Sequence, residues 1–240
     1  MKLFGLLIVF WSSFCFAKLE IPGGLSLEER QKLVQILGTG SGVHILGDPY
    51  PLGGYSGAEI ALSYESIPTA DLAGMGTTAT RKGEVSFAQL HFAKGLYYNL
   101  DLLVSFAPMG QAENISGFGG GARWGFFEAE YVPVSFSVQA SANSTSFQNK
   151  INVTTQSLDL LGSFASDDFT FYAGIGTIKA SGSFMGGAGG VTDTGQTEDV
   201  TVSTLRFIGG MTLKFSQTFF SLELIRAHQP NYAAKLGVRF

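Results

Sequence analysis

From Tyr55 to Phe240 the chain changes chemical character at nearly every second residue. Ala58, Ile60, Leu62 and Tyr64 alternate with Glu59, Ala61, Ser63 and Glu65. Tyr98, Leu100, Leu102, Val104 and Phe106 alternate with Asn99, Asp101, Leu103, Ser105 and Ala107. Val132, Val134, Phe136 and Val138 alternate with Pro133, Ser135, Ser137 and Gln139. A period of two is that of a β-strand, whose successive side chains point to opposite faces. About ten such segments can be read, at approximately 55–66, 83–93, 96–108, 117–127, 131–142, 153–165, 168–180, 200–215, 218–227 and 231–240. Most are near the ~9–11 residues that a tilted barrel strand needs to cross a bilayer. No internal run approaches the ~18 apolar residues of a helical span. Yet 45% of the 240 residues are hydrophobic and only 14% charged, less charge than the ~25% of a soluble domain. Apolar character spread through alternating strands suits a sheet with one face in lipid. The expected fold is all-β, an antiparallel up-and-down transmembrane β-barrel of about ten strands over residues 55–240.

The connections give a separate signal. Long ones at 67–82, 109–116, 143–152 and 181–199 alternate with short ones at Lys94-Gly95, Glu128-Ala129-Glu130, Ser166-Asp167 and Ser216-Gln217. Membrane barrels with an even strand count carry long loops at one rim and short turns at the other. The last connection, His228 to Pro230, breaks the pattern by being short. Phe92, Tyr98, Phe126, Phe164, Phe169, Phe215, Phe220 and Phe240 sit beside short turns or the C-terminus, at one height, as an aromatic girdle does.

Before Tyr55 the pattern differs. Met1 to Ala17 reads as a secretory signal: Lys2 is the positive region, Leu3 to Trp11 the apolar core, and Cys15-Phe16-Ala17 the cleavage site. The sole cysteine, Cys15, falls inside it, so the remaining chain has no disulfide framework. Residues 18–54 are expected to be a periplasmic segment whose amphipathic helix lies on the inner leaflet, packs into the barrel mouth or precedes the barrel, the three being left open. In it Ser26 and Glu29 form a capping box, Leu27, Leu33, Val34, Ile36 and Leu37 make a helical stripe, and Gly38 is the expected stop. Gly47 to Gly54 has turn chemistry.

The last strand places Tyr232, Ala234, Leu236, Val238 and Phe240 on one face and ends on the aromatic Phe240. This resembles the C-terminal sorting signal of bacterial outer-membrane β-barrel proteins, carried here by Tyr232, Leu236, Val238 and Phe240. The resemblance implies residence in the outer membrane of a Gram-negative bacterium. The partners it implies are outer-membrane lipid and lipopolysaccharide, and the barrel-assembly machinery that reads the signal.

With the apolar faces in lipid, the charges expected in the lumen are Glu59, Glu65, Asp101, Arg123, Asp159, Arg206, Lys214, Glu223, Lys235 and Arg239. Their signs balance, and an unpaired charge in a low-dielectric interior is costly, so paired charges filling a structural or narrow, porin-like lumen are the expectation. Arg206 should face the lumen and Phe207 the lipid. Glu223, on the neighbouring strand, is favoured over Asp159 as the partner of Arg206. Function as a surface recognition protein acting through the long loops is an alternative; a lipid- or peptide-modifying enzyme is another. The omptin proteases also use ten strands, with Asp and His clustered at the external rim. Here His44, His91 and His228 are scattered, and Asp167-Asp168 is ordinary turn chemistry. No metal cluster, cofactor motif or phosphate loop is expected: Gly38-Thr39-Gly40-Ser41-Gly42 and Gly119-Gly120-Gly121 lack the Lys-Ser/Thr of a nucleotide loop. The net charge of −4 disfavours nucleic acid. The acidic, Gly-rich loop 181–199 is expected to be solvated, and a homo-oligomer is left open.

Overall fold

A computed structural model of the chain describes residues 21–72, 74–76, 83–111, 114–186, 191–192 and 198–240. The expected signal, 1–17, lies outside the described residues, as does most of the Gly-rich stretch within 181–199.

Ten antiparallel strands close into a barrel. They are β1 (Ala58–Pro68), β2 (Glu84–Gly95), β3 (Leu100–Ala107), β4 (Ile115–Glu128), β5 (Val134–Phe147), β6 (Ile151–Ala165), β7 (Phe169–Phe184), β8 (Val200–Phe215), β9 (Thr218–Arg226) and β10 (Pro230–Arg239). Each strand pairs with its sequence neighbour, and β1 closes on β10 with Glu59 opposite Arg239 and Ser63 opposite Lys235. The closure continues to Phe240, whose carbonyl accepts from the Ala58 amide at 3.0 Å and whose amide donates to the Ala58 carbonyl at 2.9 Å. Closure gives every strand a hydrogen-bonded neighbour on both sides, as a hydrocarbon environment demands.

Alternation sorts the lower, short-turn half as expected. Ile60, Leu62, Leu102, Val104, Phe136, Leu205, Phe207, Leu222, Leu224 and Leu236 stand exposed on the outer wall. Phe92, Tyr98, Phe126, Phe164, Phe215 and Phe240 are exposed too, and Trp124 and Phe127 join them. Toward the long-loop end of β5–β8 the polarity reverses. Ser144, Thr154, Gln156, Thr177, Lys179 and Ser203 face outward, while Phe147, Ile151, Val153, Ile178, Ala180 and Val200 face inward and are buried. A wall that is polar outside and apolar inside is built for water. These strand ends therefore rise beyond the apolar belt. One consequence corrects the expected long loop at 143–152: β5 and β6 continue through it and join across residues 148–150 alone. β7 likewise runs on to Phe184, shortening the expected loop 181–199.

The inward apolar face needs something to pack against, and the N-terminal segment supplies it. The helix α1 (Leu27–Ser41) lies inside the barrel, against β1, β6, β7 and β8. Its Leu33, Val34, Ile36 and Leu37 join Ile67, Val85, Phe87, Ile115, Phe147, Ile151 and Val153 in one core. Of the places left open for this helix, the inner leaflet, the barrel mouth or a position ahead of the barrel, it takes the inside of the barrel. α1 also runs beyond the expected stop at Gly38, because Gly38 and Gly40 face the wall. A Cβ on Gly38 would stand 2.4 Å from Ala180 Cβ, and one on Gly40 2.5 Å from Ile67 Cγ2.

Candidate functional site

The lumen below α1 is the candidate site, since every charge expected there converges on it. Residues 43–54 descend through it in irregular backbone. Such backbone survives at membrane depth only where its amides and carbonyls find protein partners. The wall supplies them, strand by strand.

Glu223 of β9 receives the first contacts. Its carboxylate accepts from the Ile45 amide at 3.1 Å, the Leu46 amide at 2.8 Å and the Tyr172 hydroxyl at 2.8 Å, and it pairs with His44 Nδ1 at 3.0 Å. Tyr172 reaches it from β7 across β8 because Gly210 lies between them in register. A Cβ on Gly210 would come 2.2 Å from Tyr172 Cζ. Glu65 of β1 lies in the same row as Glu223, with Ala233 between. It stands 3.8 Å from His44 Nε2, an ion-pair distance longer than a hydrogen bond. Glu65 also accepts from Ser63 Oγ at 3.1 Å and Gln89 Nε2 at 2.9 Å. His91 bonds Ser63 Oγ through Nε2 at 2.8 Å.

Arg206 is completely buried. It grips Asp159 with Nε donating to Oδ1 at 2.7 Å and Nη2 donating to Oδ2, and it also donates to Ser157 Oγ at 2.9 Å and to the Val43 carbonyl at 3.3 Å. This corrects the expected pairing with Glu223. Asp159, Gly176 and Arg206 form one row across β6, β7 and β8. With no side chain at Gly176 the two ends meet; a Cβ there would lie 2.0 Å from Asp159 Oδ1. Glu223 is on the adjacent strand but opposite Gly210, four positions along β8 from Arg206.

Nearer the short turns, Arg123 pairs with Asp101 directly opposite, at 2.6 Å, and donates to the Asp48 carbonyl at 2.9 Å. Asp101 accepts from the Leu52 amide at 3.1 Å. Glu59 binds Lys235 at 2.6 Å and Arg239 at 2.7 Å. Both cations lie over the Phe219 ring, an arrangement that adds attraction to the ring face. Lys214 pairs at 3.2 Å with Asp48, which also accepts from Thr170 Oγ1 at 3.3 Å.

Of the ten charges read as lumenal, eight are buried, and Lys214 and Arg239 are partly exposed at the rim. Sequence reading missed three participants: His44, Asp48 and Tyr172. His44 and Asp48 belong to a segment whose entry into the barrel the sequence left open, and Tyr172 to a strand position whose need for a hydroxyl acceptor could have flagged it. A cavity of about 30 Å³ remains between His44, Glu59, His91, Arg123 and Lys235, room for little more than water. At the opposite rim His228 Nε2 stands 4.0 Å from Asp71, which also accepts from Gln229. Among the described residues no group of His, Cys, Asp and Glu is arranged to hold a metal ion.

A scan against protein-family models and a search of curated proteins return no match. Among solved structures the chain is similar to the N-terminal β-barrel domain of Pseudomonas aeruginosa OprF, at 12% identity over 78% of this chain and 98% of that one, with a TM-score of 0.37. It is also similar to the KdgM porin crystallised with disordered oligogalacturonate, at 10% identity over 76% and 98%, TM-score 0.37. A third is Ail, the attachment invasion locus protein of Yersinia pestis, at 15% identity over 77% and 99%, TM-score 0.27. All three are outer-membrane β-barrel proteins.

Proposed function

We propose that this chain is an integral outer-membrane β-barrel protein, non-enzymatic, whose bore is stoppered by its own N-terminal segment, so that it acts as a closed structural barrel rather than an open pore. The observation that carries the reading is the mutual satisfaction of plug and wall. Plug amides of Ile45, Leu46 and Leu52 donate to wall carboxylates, and plug carbonyls of Val43 and Asp48 accept from wall arginines. Outer-membrane residence is supported by the continuous apolar belt on the outer wall and by the long-loop, short-turn asymmetry. A ten-stranded barrel is little wider than the ~8-stranded kind that side chains alone fill. A helix and a stretch of irregular backbone inside it support a closed lumen.

The test is planar-bilayer recording on the purified full chain. A closed barrel inserts without steady conductance. Reproducible unitary conductance from the full chain would overturn the reading.

A second reading has one observation in its favour. β5–β8 raise a polar outer face above the apolar belt, with Ser144, Thr154, Ser181 and Thr201 in one register row. This is a surface suited to recognition. Loss of a cell-binding phenotype after external proteolysis of the loops would favour it.

A further inference from the structure

We infer that the chain enters at Ile21 from the long-loop face, so that this barrel holds Ile21 and the start of α1 at its external rim while Phe240 sits at the periplasmic rim. The inference rests on the proposed outer-membrane orientation, in which long loops are external.

The path of residues 21–57 can be followed contact by contact. At the top, the Leu25 amide donates to the Val191 carbonyl in the β7–β8 connection at 3.3 Å. Glu29, in the first turn of α1, accepts from the Gly76 amide in the β1–β2 connection at 2.9 Å. A Cβ on Gly76 would lie 2.2 Å from the Gly23 carbonyl oxygen. Both connections belong to the long-loop rim. One helix length lower, about 22 Å at ~1.5 Å per residue, the Val43 carbonyl meets Arg206. Next come Glu223 at His44 to Leu46, Lys214 at Asp48 and Asp101 at Leu52. At the bottom, the Gly95 amide at the β2–β3 turn donates to the Gly57 carbonyl at 3.0 Å. The descent never reverses.

An ordinary even-stranded barrel keeps both chain ends at the short-turn rim, as the start of β1 and the end of β10 do here. The segment ahead of β1 changes that topology by crossing the entire barrel first. A route back down is closed, because α1 and its apolar jacket occupy the upper lumen: Leu33, Val34 and Leu37 have no exposed surface. A helix ~10–12 Å across does not pass a lumen already closed by ion pairs. The wall must therefore assemble around the segment, and the barrel carries Ile21 to the external rim in the act of closing.

Cysteine labelling on intact cells tests this. Leu27→Cys reports the start of α1, Met109→Cys the long-loop rim, and Tyr131→Cys the short-turn rim; all three positions are exposed. The unsubstituted chain, whose sole cysteine is Cys15, serves as the blank. A membrane-impermeant maleimide should label Leu27→Cys and Met109→Cys on intact cells, and Tyr131→Cys only after permeabilisation. An epitope inserted between Glu20 and Ile21 should bind antibody on intact cells. Labelling at 109 with protection at 27, or an epitope reached only after permeabilisation, overturns the inference and leaves the barrel orientation standing. Protection at 109 together with labelling at 131 overturns the orientation itself, and the inference with it.

Discussion

Replacing Asp159 with Asn isolates the tightest wall contact. Arg206 has no exposed surface and donates two parallel hydrogen bonds to one carboxylate. Its other contacts, Ser157 Oγ and the Val43 carbonyl, are neutral acceptors. The substituted amide would keep one acceptor and lose the countercharge, leaving a guanidinium unpaired in a low-dielectric lumen. Removing one partner of a buried pair typically costs about 3–5 kcal/mol, and the surviving neutral acceptors put this substitution near the lower end, about 3 kcal/mol. For a urea dependence of ~1–3 kcal/mol per molar, the unfolding midpoint should fall by about 1–3 M. Trp124 is the only tryptophan after the expected signal, and it lies exposed on the outer wall. Its fluorescence in lipid vesicles therefore reports loss of the barrel. Gly176→Ala should reproduce much of the loss without touching either charge, since its Cβ would fall on Asp159 Oδ1. A midpoint shift under about 0.3 M for Asp159→Asn would refute the pairing argument.

Three further outcomes follow from the same geometry. Phe207, exposed on the outer wall beside buried Arg206, should lose roughly 2–4 kcal/mol on replacement by Arg if it sits near the midplane. A spin label at 207 should be reached by lipid-soluble and not by water-soluble quenchers. Deleting Phe240 removes the residue that exchanges two backbone hydrogen bonds with Ala58 at the closing seam. Less heat-modifiable barrel in the outer membrane is expected, and normal mobility would contradict it. The Gly76 and Ser26 amides hold the exposed Glu29 carboxyl below its usual range. The stabilisation this gives the α1 cap is complete above the unfolded carboxylate value near 4.5 and is lost as pH falls through the lowered folded value. Hydrogen-exchange protection in residues 27–33, measured against the intrinsic rate at each pH, should fall on acidification below pH ~4 in the parent, with Glu29→Gln already less protected at neutral pH.

The barrel was legible because lipid outside and ion pairs inside impose opposite chemistry on adjacent residues. Each run such as Glu59 to Glu65 announces both its period and its facing. That rule failed where the outside becomes water. In Ser144-Thr145-Ser146-Phe147 the outward residues are polar and the inward ones turn apolar, so the alternation reads as a loop although it is strand. The pairing of Arg206 was missed for a different reason. Strand adjacency is visible in sequence, but stagger is not, and a Gly at position 176 lets charges meet across an intervening strand. Leaving Asp159 alone in the lumen also makes Arg206→Phe a costly change. The helix was legible from Ser26, Glu29 and its apolar stripe, but its place was not. Gly38, Gly40 and Gly42, spaced for close approach of the helix end to a wall, were the available sign.

Everything above depends on α1 lying inside the barrel at one fixed register. A Cβ on Gly182 would stand 3.5 Å from Val34 Cβ, at the short end of the ~3.5–4.5 Å separation a disulfide needs. The double variant Val34→Cys, Gly182→Cys, oxidised in the folded state and digested, should yield the cross-linked peptide pair in mass spectra, with both thiols unreactive to maleimide. Two free, maleimide-labelled thiols in a protein that still migrates as a folded barrel would contradict the plugged lumen.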